Sequence, residues 1–328
     1  NRTAGAWVVG IGLLLFVVGV AYDLMLDLEL MPGIAQITNG YYYGFTGLTV
    51  AMATYLSQSF AKTSENLVVH ERRLREEEIT RRLLEADVAR KTRELEEARA
   101  LQLSMLPRNV PQSDRFVIAV HMQTASEVGG DYYDFHFGDA EDLTIVIGDA
   151  TGHGLKAGVM VAIAKSLFKA GLPRENFPEF FNACNRILRQ MYLGNLFMAM
   201  TLVRIEKNRL TVSAAGMPPL LLYRAGSDEV EDVILKGMPL GAFEDFPYEQ
   251  FETDLAPGDA LLLLTDGLTE LFDGEREMFG LERARNLWRE AARRQPAEVI
   301  ARLEEVAARW RGNRPQEDDM TLVAVKIK

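Results

Sequence analysis

Four segments of this 328-residue chain place aspartates at the edges of apolar runs. TIVIG runs straight into Asp149 and LLLLT straight into Asp266. Asp131 follows a glycine pair in GGDYYDF, and Asp318-Asp319 stand immediately before the last apolar stretch. A carboxylate at the mouth of a buried strand is costly unless it is paired or bound to a cation. One would be unremarkable, because Asp is common in turns at strand ends. Four, with little basic sequence beside them, point to a shared cation site. Oxygen donors without histidine or thiolate select hard ions, Mg²⁺ or Mn²⁺. Two such ions sharing a bridging carboxylate activate a water and neutralise the oxygens of a phosphoryl group. His153 in TGHG is the one histidine beside these segments. It either protonates a leaving oxygen or marks a tight turn into the helix that follows.

The elements that must hold these residues are short. Residues 116–122, 143–149, 197–205, 209–215, 260–266 and 320–327 read as apolar strands. Helical patterns fall at 155–170, 175–193 and 281–310. Strands that mostly follow one another, with helices grouped between, predict an α+β layered domain rather than a doubly wound parallel sheet. The single cysteine, Cys184, excludes internal disulfides, and its place in FFNACNRIL predicts a core residue. Residues 107–328 carry 25 basic and 34 acidic side chains, which argues against a nuclease and against nucleic acid as a partner. No serine-hydrolase elbow, zincin or P-loop motif occurs. GGDYYDF differs from a cyclase GGDEF signature after its glycines.

LQLSMLP (101–107), GGDYYDF (129–135), GDATGHGLKA (148–157), AAGMPPLLLYR (214–224), LLLLTDGLTE (261–270) and DDMTLVAV (318–325) occur in that order. The set resembles the SpoIIE-type branch of the metal-dependent protein phosphatases, the protein phosphatase 2C superfamily. The resemblance implies an αββα sandwich holding two Mn²⁺ or Mg²⁺ ions between its sheets, and phosphoserine or phosphothreonine protein substrates. It implies Asp149 as bridging ligand, the Ala150 carbonyl as a ligand to one ion, Asp266 and Asp318 on the other, and Asp131 holding the first. Glu270 falls where the family often has an acidic residue associated with a third, weaker ion. The target the family suggests is a phosphorylated anti-sigma-factor antagonist with a STAS domain, within a partner-switching pathway. AAGM stands where many relatives read NAGH, and Arg108 and Arg115 are candidate phosphate-binding arginines by position alone. A catalytically silent binding module on the same fold is the alternative; loss of a metal carboxylate would favour it, and all four are present.

Residues 1–60 are a different material, with one basic residue, Arg2, and three acidic ones, Asp23, Asp27 and Glu29. Ala6–Tyr22 and Tyr41–Phe60 are uncharged runs; as helices they reach about 25 and 30 Å, against roughly 30 Å of hydrocarbon. The segment between them lacks Lys and Arg, whereas Lys62, Arg72, Arg73 and Arg75 follow. The positive-inside rule then predicts two spans in a bacterial inner membrane, with everything after Phe60 in the cytoplasm. The pattern resembles the last two spans of bacterial seven-transmembrane receptors with diverse intracellular signalling modules. With no Met before Asn1, that resemblance implies the end of a longer receptor.

Residues 61–106 contain ten basic and ten acidic residues and no Gly or Pro until Pro107. Leu67, Leu74, Val88 and Leu95 share one heptad position, which Arg81 interrupts, and Leu84, Ala98 and Met105 share its partner. This predicts a weakly specified parallel coiled coil, a homodimeric linker from membrane to enzyme. The organisation expected is thus 1–60 membrane, 61–106 linker, 107–328 phosphatase domain.

Overall fold

The computed structural model describes residues 2–32, 39–125, 128–138, 142–171 and 176–328. Two units are present, Asn1–Ala89 and Arg90–Lys328. The first contains helix α1 (Arg2–Asp27) and most of helix α2 (Gly40–Met105). Among the described residues only Ala6–Asp27 is both long and apolar enough to cross a membrane, with a mean hydropathy of 2.3. Tyr41–Phe60 lies in α2, but its hydroxyls and its closing Ser-Gln-Ser dilute the apolar character. Part of the connection between the two runs, residues 33–38, lies outside the described residues. Glycines let α1 and α2 approach closely: a Cβ on Gly12 would stand 2.7 Å from the Ala51 Cβ, and one on Gly44 would stand 2.6 Å from the Phe16 Cα. Asp23, placed by sequence in a loop, ends up inside α1. Its carboxylate accepts the Gly40 and Tyr41 N–H groups, capping the start of α2.

The second unit is built on two antiparallel five-stranded sheets. Its strands are β1 (Phe116–Gln123), β2 (Asp131–Phe137), β3 (Leu143–Ala150), β4 (Met198–Glu206), β5 (Arg209–Ala215), β6 (Leu220–Arg224), β7 (Glu229–Val233), β8 (Phe251–Asp254), β9 (Ala260–Leu264) and β10 (Met320–Ile327). One sheet runs β1-β10-β9-β6-β7 and the other β2-β3-β4-β5-β8. The helices are α3 (Leu155–Ala170), α4 (Phe177–Gln190), the single turn α5 (Asp266–Thr269), α6 (Gly280–Ala291) and α7 (Pro296–Arg311).

Strand periodicity explains the layering. Leu261, Leu263, Val323 and Val325 join Ile145, Ile147 and Val203 in the core between the sheets. Their alternates Leu262, Leu264, Leu322 and Ala324 pack outward on Trp288, Val299, Ile300 and Leu303 of α6 and α7. On the other sheet Val146 and Leu202 pack outward on Met160, Val161, Phe181 and Cys184 of α3 and α4. Because both faces of each central strand are covered, these strands read as continuous apolar runs rather than alternating ones. The result is the expected αββα sandwich. Burial holds the Cys184 thiol up at about 12, which removes it as a nucleophile.

Two expectations change. The helix expected over 281–310 is two helices, because Pro296 supplies no N–H to continue the first and instead opens α7. Strands β2, β6, β7 and β8 lie outside the stretches read as strands from sequence.

Outward-facing Asp134 on β2 ties that edge strand to α3. It is buried, and accepts Lys165 Nζ and Lys169 Nζ at 2.8 Å each and Tyr132 Oη at 3.1 Å. Burial pushes its carboxyl up, but the two lysines and the Phe135 N–H outweigh that and hold it below the ordinary range. A depressed carboxylate stabilises the fold above its unfolded value, and that contribution disappears as pH falls through the folded one. Asp134→Asn should therefore cost about 2 kcal/mol at pH 7, allowing for the partial exposure of Lys169. Its stability should also fall less than wild type between pH 5 and 3. Urea unfolding at the two ends of that window checks both.

Candidate metal and phosphoryl-transfer site

The carboxylates converge because four chain segments end at the same rim of the sandwich. On β2, Asp131 shares the inter-sheet face with Tyr133 and Phe135; on β3, Asp149 shares it with Ile145 and Ile147. In the register of β2 with β3, Asp131 stands directly opposite Asp149. Asp266 begins α5 directly after β9, and Asp318-Asp319 precede β10, the strand paired with β9.

Glycines make room for the approach. A Cβ on Gly130 would stand 2.7 Å from the Ala150 carbonyl oxygen and 2.8 Å from Asp149 Oδ1. Asp319, noted from sequence only as part of the Asp318-Asp319 pair and given no ligand role, is buried and accepts the Ala125 N–H at 2.7 Å together with the Gly130 N–H. It thereby fixes the loop that delivers Asp131. Gln102, near the end of α2, is a second residue missed. Its buried amide donates to the Gly129 carbonyl at 2.6 Å and accepts the Gly129 N–H at 3.0 Å. The motif LQLSMLP marked its segment, but not this pairing.

The carboxylates repel one another through low-dielectric surroundings. Burial, followed by Asp266, Asp318, Asp319 and Glu270, raises the Asp149 carboxyl to about 8. Burial, Asp318 and Glu270 raise Asp266 to about 6. Asp131 is raised well above its ordinary range, chiefly by burial and further by Asp149 and Asp319, against hydrogen bonds from Thr321 and Thr265. Asp318 is also raised by burial and by Asp319, while nearby His153 opposes the shift. His153 itself is exposed, in the turn between β3 and α3.

Two oxygens test the fit of a divalent cation. Asp131 Oδ1 and Asp266 Oδ1 are buried and accept no hydrogen bond. Such orphans are rare in native structures and need an ion, water or proton. With oxygen donors throughout, the set suits hard Mg²⁺ or Mn²⁺. Among the described residues no three His, Cys, Asp or Glu side chains are already gathered as a coordination cage.

A cavity of about 190 Å³ opens beside the carboxylates, lined by Gly267, Glu270, Arg314 and Asp318. Arg314, paired with Glu317 at 2.8 Å, is thus an arginine that the fold brings to the acidic cluster. Arg115 is held elsewhere, donating to the Lys207 carbonyl. In the AAGM loop, Met217 packs against the inter-sheet core.

Comparison with known proteins places this geometry. Residues 139–328 match the family model described as Stage II sporulation protein E (SpoIIE). The phosphoserine phosphatase RsbU of Bacillus subtilis is 30% identical over 181 residues, 54% of this chain and 53% of RsbU. The chain spans about half the length, or less, of the curated relatives it matches. Among solved structures, the RsbU and RsbW domains of a Mycobacterium tuberculosis protein align with a TM-score of 0.59 at 26% identity, covering 68% of this chain and 63% of that one. The SiaA PP2C domain of Pseudomonas aeruginosa aligns with a TM-score of 0.64 at 23% identity, over 73% of this chain and 98% of that domain, a likeness of fold. With its two-sheet sandwich, its rim of carboxylates and a match covering more than half its length, the chain belongs to the SpoIIE family of PP2C-type phosphatases.

Proposed function

We propose that this protein is a membrane-tethered, metal-dependent serine/threonine phosphatase whose substrate is a phosphorylated STAS-domain protein in a partner-switching pathway. The observation that carries the reading is Asp149: its carboxyl is held up at about 8 by burial and, after that, by four other carboxylates around it. Such crowding destabilises a fold unless a multiply charged cation relieves it. Relatives named for RsbU and RsbW support the partner-switching context.

In this reading Asp149 would be shared between two ions, the Ala150 carbonyl and Asp131 would help hold one of them, Asp266 and Asp318 the other, and Glu270 a third, weaker one. Bound Mn²⁺ or Mg²⁺ would supply Lewis-acid neutralisation of the phosphoryl oxygens and an acidified water. His153, exposed and close enough to Asp318 to act on its charge, would give a proton to the departing serine oxygen. Arg314 would meet the anionic phosphate from the cavity side. Gln102 would couple the linker to the Asp131 loop, so that movement of residues 101–115 sets activity.

Membrane tethering is supported by α1, whose most apolar window is 6% buried within the protein. Thr46, Thr49 and Thr54 each donate to the carbonyl four residues earlier, which suits the start of α2 to an apolar medium. Leu67, Leu74, Leu84 and Val88 are exposed on α2, as a homodimeric coiled coil through 61–106 requires.

The test is Mn²⁺-dependent phosphate release from a serine-phosphorylated STAS-domain protein, using the full chain in detergent micelles. Release that stops on chelation and returns with Mn²⁺ is expected. Turnover of a generic phosphate ester alone would keep the enzyme and discard the substrate. Silence on both would favour the catalytically silent binding module.

A further inference from the structure

Two threonines that lie outside the acidic cluster act on it. Thr265 closes the LLLLT run after β9, and Thr321 is the second residue of β10. Both are fully buried. They belong to the sheet opposite the one that carries Asp131, yet both hydroxyls donate to the same Asp131 oxygen. Thr265 Oγ1 to Oδ2 is 2.8 Å, and Thr321 Oγ1 to Oδ2 is 2.6 Å.

The direction of these bonds is fixed by the backbone. The Thr265 N–H donates to the Thr321 carbonyl at 3.1 Å, and the Thr321 N–H donates to Thr265 Oγ1 at 2.9 Å. Thr265 Oγ1 therefore already accepts a hydrogen bond, and its own proton is directed at Asp131. Asp131 Oδ2 is saturated by two O–H donors, while Oδ1 is buried and accepts nothing. A carboxylate merely satisfied in a core would share its donors between both oxygens. Here one oxygen is tied down and the other is left free.

We infer that Thr265 and Thr321 form a clamp that makes Asp131 a one-oxygen ligand and so sets which cation the site accepts. The inference rests on the reading above, that this cluster holds divalent cations. Mg²⁺ demands near-ideal octahedral geometry, and Mn²⁺ favours six oxygen ligands; both are served by a single fixed oxygen per carboxylate. Ca²⁺ takes more ligands and readily uses both oxygens of one carboxylate. Turning Asp131 to offer both would break two hydrogen bonds, so the clamp selects against Ca²⁺. Thr265 and Thr321 are positioning residues, acting through Asp131.

The experiment is calorimetric titration of Mn²⁺ alone and of Ca²⁺ alone into the full chain in detergent micelles, without substrate. Thr321→Val and Thr265→Val keep shape and remove one hydroxyl. Each should weaken Mn²⁺ binding about 10–100-fold, the usual effect of losing a partner that orients a ligand. Ca²⁺ binding should hold or strengthen, so that the preference for Mn²⁺ narrows by at least about tenfold. Thr321→Ser should restore the wild-type ratio. Val variants that keep the wild-type ratio overturn the inference, whether both affinities are unchanged or fall together. Wild-type protein that binds neither ion overturns the cation reading with it. Should the Val variants misfold, a crystal structure of the wild-type chain with Mn²⁺ decides. Asp131 ligating through one oxygen with both threonine bonds intact supports the clamp, and two-oxygen ligation overturns it.

Discussion

Asp149→Asn is expected to melt at a higher temperature than wild type when metal-free at pH 8, while losing Mn²⁺-dependent phosphate release by on the order of a thousandfold. The two effects come from one carboxylate. An unfolded aspartate titrates near pH 3.9, whereas burial and then Asp266, Asp318, Asp319 and Glu270 hold this one at about 8. Between those values the native state binds a proton that the unfolded state does not, so the metal-free fold loses stability as pH rises toward 8. Asparagine carries no charge and removes that slope. In a unit of this size each 1 kcal/mol shifts the melting temperature by about 2–4 °C, so a gain of several degrees is expected. Mn²⁺, expected to bind the native state alone, should raise the wild-type melting temperature at pH 8 by mass action while leaving the variant unmoved. Scanning fluorimetry at pH 6, 7 and 8, with and without Mn²⁺, reads all of this. A variant that melts below wild type in metal-free buffer at pH 8, or that still responds to Mn²⁺, would overturn the assignment of Asp149.

Much of this site was legible in sequence because its carboxylates interrupt apolar runs, and apolar runs are the strongest local signal a strand produces. Asp149 and Asp266 stand out for that reason. Asp319 did not, because its work is to accept backbone N–H groups from a loop 189 residues away in sequence, and no local pattern encodes that. Thr265 and Thr321 were hidden differently: each sits among leucines and valines, where a β-branched residue reads as packing. Gln102 falls on the heptad-patterned helix, where a polar residue reads as a solvated face until Gly129 is seen across from it.

Three of the four strands that escaped notice, β2, β7 and β8, lie at sheet edges. Asp131–Phe137 (DYYDFHF) carries aromatic and acidic residues on both faces: Tyr133 and Phe135 meet the inter-sheet core beyond Asp131, while Tyr132 packs toward the helices beside Asp134, which meets Lys165 and Lys169 of α3. Glu229–Val233 is an edge strand beside β6, with alternating exposure and only Val233 buried. Edge strands need less apolar sequence than central ones.

Gly267→Ala, a change of one methyl group, is expected to cost about 3 kcal/mol and to abolish Mn²⁺ binding together with activity. The glycine of the TDG motif is not required for a left-handed turn; what it lacks is room. A Cβ there would overlap the Asp319 carbonyl oxygen and stand 2.7 Å from the Asp319 carbonyl carbon and 3.2 Å from the Met320 Cα. Backbone cannot swing aside as a long side chain can, so the segment before β10 would have to move. That segment carries Asp318 and Asp319, and Asp319 holds the Gly130 and Ala125 N–H groups that place Asp131. Displacement at Gly267 thus reaches three of the clustered aspartates at once. Gly152→Ala is the matching control: its φ of +83° strains an L residue, but nothing lies within 4 Å of the added Cβ. Strain of that kind costs about 1–2 kcal/mol and leaves the carboxylates where they are. Melting curves and Mn²⁺ titrations of the two variants should therefore diverge, Gly152→Ala losing stability with metal binding intact and Gly267→Ala losing both. Equal metal affinity in the two would show that the Asp266 and Asp318 segments need not be packed this closely for the cation site to form.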